Sequence, residues 1–163
     1  MPNRPKIGII MGSDSDLPIM RKAVDVCREF DIQFELQILS AHRTPEHHAE
    51  WARTAASRGI KVIIAAAGMA AHLPGVTAAH TVLPVIGVPM KGKSLEGNDA
   101  LYSIVQMPPG IPVATVAIDG AKNAALLAMQ IIATGDELLT EKLYQYKKEM
   151  ADASMKKNEN LEY

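Results

Sequence analysis

Apolar residues in this chain form short runs, which alternate with segments where they return every three or four positions. The runs, together with one alternating segment, predict five strands at residues 7–11, 34–39, 62–67, 84–88 and 113–118. The helical spacing predicts helices at residues 17–30, 45–58, 73–80, 100–105, 123–134 and 136–154. Strands that alternate with helices indicate an α/β fold, in which a parallel sheet has helices on both faces.

Five strands in such a fold favour the flavodoxin-like order 2-1-3-4-5. Strand 1 then lies between strands 2 and 3. The loops at residues 12–16, 40–43 and 68–72 therefore open side by side. We expect them to line one crevice, because ligands of open parallel sheets bind at the carboxyl ends of the strands.

The loop after the second strand carries Ser40, His42 and Arg43. It leads into a helix that Thr44 can cap and Pro45 can begin. The guanidinium fork of arginine matches the oxygens of a phosphate, and histidine exchanges protons near neutral pH. We therefore expect a phosphate contact at Arg43 and proton transfer at His42, with an ordinary capped surface loop as the alternative.

The loop after the first strand offers two carboxylates and two hydroxyls. Asp14 and Asp16 would repel a polyphosphate, but they suit sugar hydroxyls, which donate to a carboxylate. Ser13 and Ser15 can hold one phosphate alongside Arg43 and the amides of a helix start. For Asp16, a simple helix cap is the alternative.

The loop after the third strand offers backbone rather than side chains. Ala67 and Gly68 belong to a run of small residues, which lets a flat ligand approach the main chain closely. Tight packing between strand and helix is the alternative explanation. His72 can touch the ligand, although a packed or capping histidine is the more ordinary outcome.

Composition narrows the class of protein. The 163 residues suit a single domain, 1–163, and no interdomain linker or repeat is visible. With 17 basic and 18 acidic residues and no basic stripe, a nucleic-acid partner is not expected. The stretch before the first strand is too short for a signal peptide or a membrane span, so we expect a soluble cytoplasmic protein with no membrane partner.

Two other chemistries are disfavoured by spacing. His47 and His48 are adjacent on a predicted helix, whereas zinc-binding helices place ligands four residues apart, and the only cysteine is Cys27. We therefore expect no metal site and no disulfide within the chain. No Gly-x-Ser-x-Gly motif follows a strand, so a serine nucleophile is not expected either.

Five segments in this order resemble the signatures of the PurE family, the N5-carboxyaminoimidazole ribonucleotide mutases of purine biosynthesis. They are Met11-Gly12-Ser13-Asp14-Ser15-Asp16, Ser40-Ala41-His42-Arg43-Thr44-Pro45, Ala70-Ala71-His72-Leu73-Pro74-Gly75, Leu101-Tyr102-Ser103-Ile104-Val105-Gln106-Met107-Pro108 and Asn123-Ala124-Ala125-Leu126-Leu127-Ala128. The resemblance spans nearly the whole chain. Ala66 and Met69 depart from it, because family members commonly have glycine there, and Lys91-Gly92 replaces the more usual Gln-Ser.

The resemblance implies a three-layer α/β/α sandwich and a mutase that moves a carboxylate from N5 to C4 of the substrate imidazole without metal or cofactor. It implies that His42 is the proton carrier. The residues that match nucleotide binders are Ser13, Asp16, Ser40 and Arg43, and Ser15 joins them from the argument above. Those that match the wall beside the ring and the migrating carboxylate are Ala67, Gly68 and Leu73. Arg43 resembles the mutase branch of the family, because the directly carboxylating branch typically has lysine there.

The last two helices predict assembly. Leu139, Leu143, Tyr146 and Met150 form a stripe on the final helix, about 136–154, and residues 124–133 are apolar on almost every face. We expect a homo-oligomer in which the final helix packs on neighbouring subunits, and the resemblance implies an octamer. A flavodoxin-like module that binds a nucleotide without turnover remains the competing hypothesis.

Overall fold

Five parallel strands form one sheet, and helices connect them in the predicted alternation. The computed structural model describes residue 4 and residues 6–161. The strands are β1 Ile7–Met11, β2 Phe34–Ile38, β3 Val62–Gly68, β4 Val85–Met90 and β5 Ala114–Thr115. The helices are α1 Leu17–Glu29, α2 Pro45–Arg58, α3 Leu73–His80, α4 Asn98–Val105, α5 Ala121–Ala133 and α6 Glu137–Lys156. Single 3₁₀ turns cover Asp14–Asp16 and Lys157–Asn160.

The strand order is β2-β1-β3-β4-β5, and every neighbouring pair is parallel, which confirms the predicted topology. The chain moves one way across the sheet from β1 to β2 and the opposite way from β2 onward. Because crossovers between parallel strands are right-handed, this reversal places α1 on one face and α2, α3 and α4 on the other. The three-layer sandwich is therefore confirmed.

Strand register brings three loops to the same level. Met11, the last residue of β1, lies opposite Ile38 on one side and Ala66 on the other. Every residue of β1 is buried, and β3 is buried up to Ala67. The loops that follow β1, β2 and β3 therefore begin at neighbouring points on one edge of the sheet.

Helix α2 is fixed on the sheet by a charged cluster around Glu35 of β2. The indole N–H of Trp51 donates to the Glu35 carboxylate, and Arg58 Nε donates to the same group at 3.0 Å. The Arg58 guanidinium also lies 5.2 Å from the centre of the Trp51 ring, within the range of a cation–π contact. The neighbouring strand β1 packs tightly against the same ring, since a Cβ at Gly8 would lie 2.8 Å from Trp51.

The fifth strand is much shorter than predicted. Residues 113–118 are apolar enough for a strand, but only Ala114–Thr115 pairs regularly with β4. Beyond it the chain still follows β4, because Val116 N–H donates to Gly87 O and Asp119 N–H donates to Pro89 O. Pro89 has no N–H to donate in return, so the regular ladder ends there.

A buried histidine links α2 to α3. His48 is fully buried, and its Nε2 lies 2.7 Å from the Thr77 hydroxyl oxygen. Thr77 donates to Leu73 O at 2.6 Å, so its oxygen accepts from His48 Nε2–H. His48 Nδ1 has no hydrogen-bond partner among the residues that the structure describes. The His80 ring packs edge-on against His48, with 6.3 Å between the ring centres. The sequence did not predict the hydrogen bond between His48 and Thr77. It joins α2 and α3, the two helices that follow the second and third loops.

We expect His48→Leu to make the protein less sensitive to acid. Burial and the charge of His80 lower the pKa of His48, so the unfolded chain takes up a proton at this residue near pH 6.5, before the folded chain does. The wild-type free energy of unfolding should therefore fall as pH drops below about 6.5. Urea unfolding from pH 8 to pH 5 should show a shallower fall for His48→Leu, with exposed His47→Gln as control. Parallel curves for wild type and His48→Leu would contradict this.

Contacts divide the chain into two compact units, residues 1–128 and 129–163. In the second unit, α6 begins with a side-chain cap, since Leu139 N–H donates to Asp136 Oδ1 at 3.1 Å. The single-domain organisation stays a prediction. Within the described part of the chain, every helix is too short or too polar to cross a membrane.

Candidate active site

The loop after β1 is organised by Ser13 rather than by Asp16. Ser13 Oγ caps the 3₁₀ turn by accepting from Ser15 N–H at 3.3 Å and from Ser15 Oγ at 2.9 Å, and it donates to Asp14 at 3.1 Å. Asp16 occupies the position before α1 without making a side-chain cap bond. Asp16 therefore holds the cap position through its backbone alone, and its carboxylate can accept further hydrogen bonds.

The charged form of the Asp16 carboxylate is partly desolvated, so a hydrogen-bond donor would stabilise it. Burial raises its pKa above the ordinary value, and the nearby charges of Asp14 and Asp119 raise it further. A backbone hydrogen bond from Ser13 and the charge of Arg43 act in the opposite direction. A ligand hydroxyl that donates to Asp16 would replace part of the hydration that burial has removed.

The loop after β2 is closed by Thr44 and tied to the first loop by Arg43. Thr44 Oγ1 accepts from Ser40 N–H and donates to Ser40 O, both at 3.0 Å, and it makes no side-chain cap for α2. Arg43 N–H donates to Ser40 Oγ at 3.1 Å, and Arg43 Nη2 donates to Gly12 O at 2.6 Å. The predicted cap at Thr44 is therefore wrong, but the same hydroxyl fixes the turn that presents His42 and Arg43.

His42 lies at the exposed side of this turn. Among the residues that the structure describes, its imidazole has no hydrogen-bond partner. Both ring nitrogens are therefore available to a ligand in the cavity that His42 lines.

The loop after β3 brings backbone close to the same space. Ala67 is buried at the end of the strand, Gly68 is half-buried and Met69 is exposed, with a positive φ of 56°. His72 is also exposed and stands before α3 without a side-chain cap bond, so the packed and capping alternatives for it are wrong.

The three loops enclose a cavity of about 490 Å³, a size that suits a nucleotide. The nine residues that the sequence assigned to the site line it: His42, Ser13, Ser15, Asp16, Ser40, Arg43, Ala67, Gly68 and Leu73. Asp14 and His72, which the sequence also offered as ligand contacts, do not line this cavity. A second hollow of about 410 Å³ adjoins it and shares Gly12, Ser13, Ser40 and Arg43, so Arg43 and the serine hydroxyls stand between the two spaces. This is the place that an anionic group would occupy.

Five further lining residues were not chosen as site residues from the sequence: Gly12, Ala41, Ala66, Met69 and Ala71. They carry no side-chain chemistry that marks a site. The available signal was position, because each lies in one of the three loops or in the last residues of β3 that lead into them. Among the described residues, no cluster of three or more His, Cys, Asp or Glu side chains is arranged to hold a metal ion.

Residues 6–153 match the family described as AIR carboxylase, which is most of the chain. The chain belongs to the AIR carboxylase family. It is 63% identical over 146 residues to the N5-carboxyaminoimidazole ribonucleotide mutase of Pyrococcus abyssi, covering 90% of this chain and 84% of that protein. It is 59% identical over 158 residues to the enzyme of the same name from Synechocystis sp., covering 97% and 90%.

A crystal structure of a PurE protein has the same fold as this chain. The crystal structure of Treponema denticola PurE superimposes with a TM-score of 0.88 at 30% sequence identity, covering 98% of this chain and 100% of that one. The membership predicted from the five sequence segments is thereby confirmed, whereas the role of each lining residue stays a prediction.

Proposed function

We propose that this chain is a mutase that converts N5-carboxyaminoimidazole ribonucleotide into 4-carboxyaminoimidazole ribonucleotide in purine biosynthesis. The observation that carries the proposal is one cavity lined by the imidazole of His42, the guanidinium of Arg43 and the partly buried carboxylate of Asp16. The names of the two sequence relatives support the same reaction.

Each part of a nucleotide has a matching group in the cavity. Arg43 and the hydroxyls of Ser13, Ser15 and Ser40 bind the phosphate, because a guanidinium fork and hydroxyl donors match its oxygens. Asp16 accepts from a ribose hydroxyl. The backbone of Ala67, Gly68 and Leu73 forms the wall beside the imidazole ring and the migrating carboxylate. Ala67 and Leu73 are buried and Gly68 is half-buried, so this wall is well supported.

The reaction needs one proton carrier and no net proton. His42 donates a proton to N5 as the bond from N5 to the carboxylate carbon breaks; the electron pair of that bond stays on N5, and carbon dioxide is released. The electron pair of the ring C4 then attacks carbon dioxide and forms the new C–C bond. His42 finally accepts the C4 proton, which restores the aromatic ring. Holding carbon dioxide beside C4 makes the second bond formation effectively intramolecular.

The branch of the family can be tested by substrate preference. A mutase keeps the released carbon dioxide, so it should convert the N5-carboxylated nucleotide rapidly without added bicarbonate. Aminoimidazole ribonucleotide itself should react appreciably only at high bicarbonate. The assay follows the absorbance of the C4-carboxylated product from both substrates at matched concentrations and low bicarbonate. Equal or faster use of aminoimidazole ribonucleotide would refute the mutase assignment.

The competing hypothesis of a nucleotide-binding module without turnover predicts a different outcome from the same assay. A flavodoxin-like carrier would bind its ligand and produce no C4-carboxylated product. It also provides no reason for an unpartnered imidazole in the cavity.

We also propose that the chain works as a homo-octamer in the cytoplasm. The side chains of the predicted stripe differ in exposure: Leu139 and Leu143 are buried, whereas Met150 is 48% exposed. The large apolar side chains exposed on α6 are Leu138, Tyr144, Met150 and Met155. Such a surface favours cover by another subunit. Light scattering at micromolar concentration should give a mass well above that of one chain, and a monomer mass would contradict the proposal.

A further inference from the structure

Met69 is the large side chain among the small residues of the third loop. It lines the cavity together with Ala66, Ala67, Gly68 and Ala71, and its side chain is 70% exposed. A thioether chain of this length, anchored at the rim, can lie across the opening, and its flexibility lets it fit an irregular ligand surface. The side chain therefore sits where the cavity meets solvent.

The backbone at this position is unfavourable for methionine. A φ of 56° lies in the left-handed region, which glycine adopts freely and which a residue with a Cβ adopts at a cost. A strained residue at the rim of a site is a reason to look for a role of its side chain.

We propose that Met69 retains the carbon dioxide released during the proposed mutase reaction. This inference rests on that function and extends it. Carbon dioxide leaves N5 as a small, uncharged molecule, and it is lost if it reaches solvent before C4 attacks it. The small residues below Met69 leave space for it beside the ring, and the methionine side chain closes the solvent side of that space.

Leakage can be measured by isotope exchange. Unlabelled N5-carboxyaminoimidazole ribonucleotide is supplied in medium that contains ¹³C-bicarbonate and carbonic anhydrase, and mass spectrometry at low conversion measures the label in the C4 carboxylate. Wild type should transfer mostly the unlabelled carbon of its own substrate. Met69→Ala and Met69→Gly should each raise the labelled fraction several-fold, and free aminoimidazole ribonucleotide should accumulate beside it.

Three variants separate the side chain from the backbone. Met69→Leu keeps an apolar side chain of similar volume and should label like wild type, whereas Met69→Ala removes the side chain while keeping a Cβ on the left-handed backbone. A rise in Met69→Gly alone would assign the effect to the backbone and overturn the proposal. Unchanged labelling in both small variants would also overturn it. If wild type forms no C4-carboxylated product at all, the proposed function itself fails, which is a separate and visible outcome.

Discussion

His42→Asn is expected to lower kcat by at least about 10²–10⁴-fold while leaving the fold and ligand binding nearly intact. Asparagine keeps a hydrogen bond in the same place, but it cannot carry a proton between N5 and C4. One group serves both steps in the proposed reaction, so the loss should reach or exceed the upper end of this range. The measurement is steady-state turnover of the N5-carboxylated nucleotide, with binding of the same nucleotide followed by calorimetry.

The matched control is His47→Asn, five residues along the chain. His47 is exposed on α2 and does not line the cavity. It should keep wild-type turnover, so any general effect of losing a histidine from this region is removed. Near-normal activity in His42→Asn would refute the assignment of the proton carrier.

Arg43→Ala is expected to raise KM by about 10- to 150-fold, since a charge-assisted hydrogen bond contributes roughly 1.5–3 kcal/mol. The guanidinium is held at 2.6 Å by Gly12 O, so the free protein already places it beside the serine hydroxyls. The variant loses both the phosphate contact and this tie between the first two loops. The kcat should change less than KM, because Arg43 is proposed to bind the phosphate rather than the reacting atoms.

Two comparisons sharpen the Arg43 test. Arg43→Lys keeps the charge but loses the fork, and it should recover only part of the affinity. Arg53→Ala removes an exposed arginine of α2 that does not line the cavity, and KM should stay unchanged. If KM in Arg43→Ala equals that of wild type, the phosphate lies elsewhere.

The parts of the fold that were predictable depend on local pattern. The buried runs of β1 and β3 and the apolar spacing of α1 and α2 are properties of short segments, and their bounds agree within a residue or two. The order of the strands followed from alternation and chain direction. The length of β5 was not predictable in this way, because it is limited by Pro89 on the neighbouring strand.

The limits at the site have a similar cause. The sequence indicated where hydroxyls and carboxylates occur, but not which backbone groups they would bind. Thr44 therefore closes its own loop instead of capping α2 with its side chain. Ser13 caps the 3₁₀ turn, and Asp16 makes no side-chain cap for α1. The bond between His48 and Thr77 joins residues 29 positions apart on different helices, and no spacing rule reveals such a pair.

Strand pairing also sets when the cavity can exist during synthesis of the chain. Every residue that lines it lies between Gly12 and Leu73, so the ribosome has made all of them before it reaches β4. Ala66 and Ala67, however, pair with Val88 and Pro89 of β4. A nascent chain that ends at His80 would therefore contain the full set of lining residues and still lack the strand that holds one wall in place. Nucleotide binding by growing chains should begin only after β4 has left the ribosome and joined the sheet.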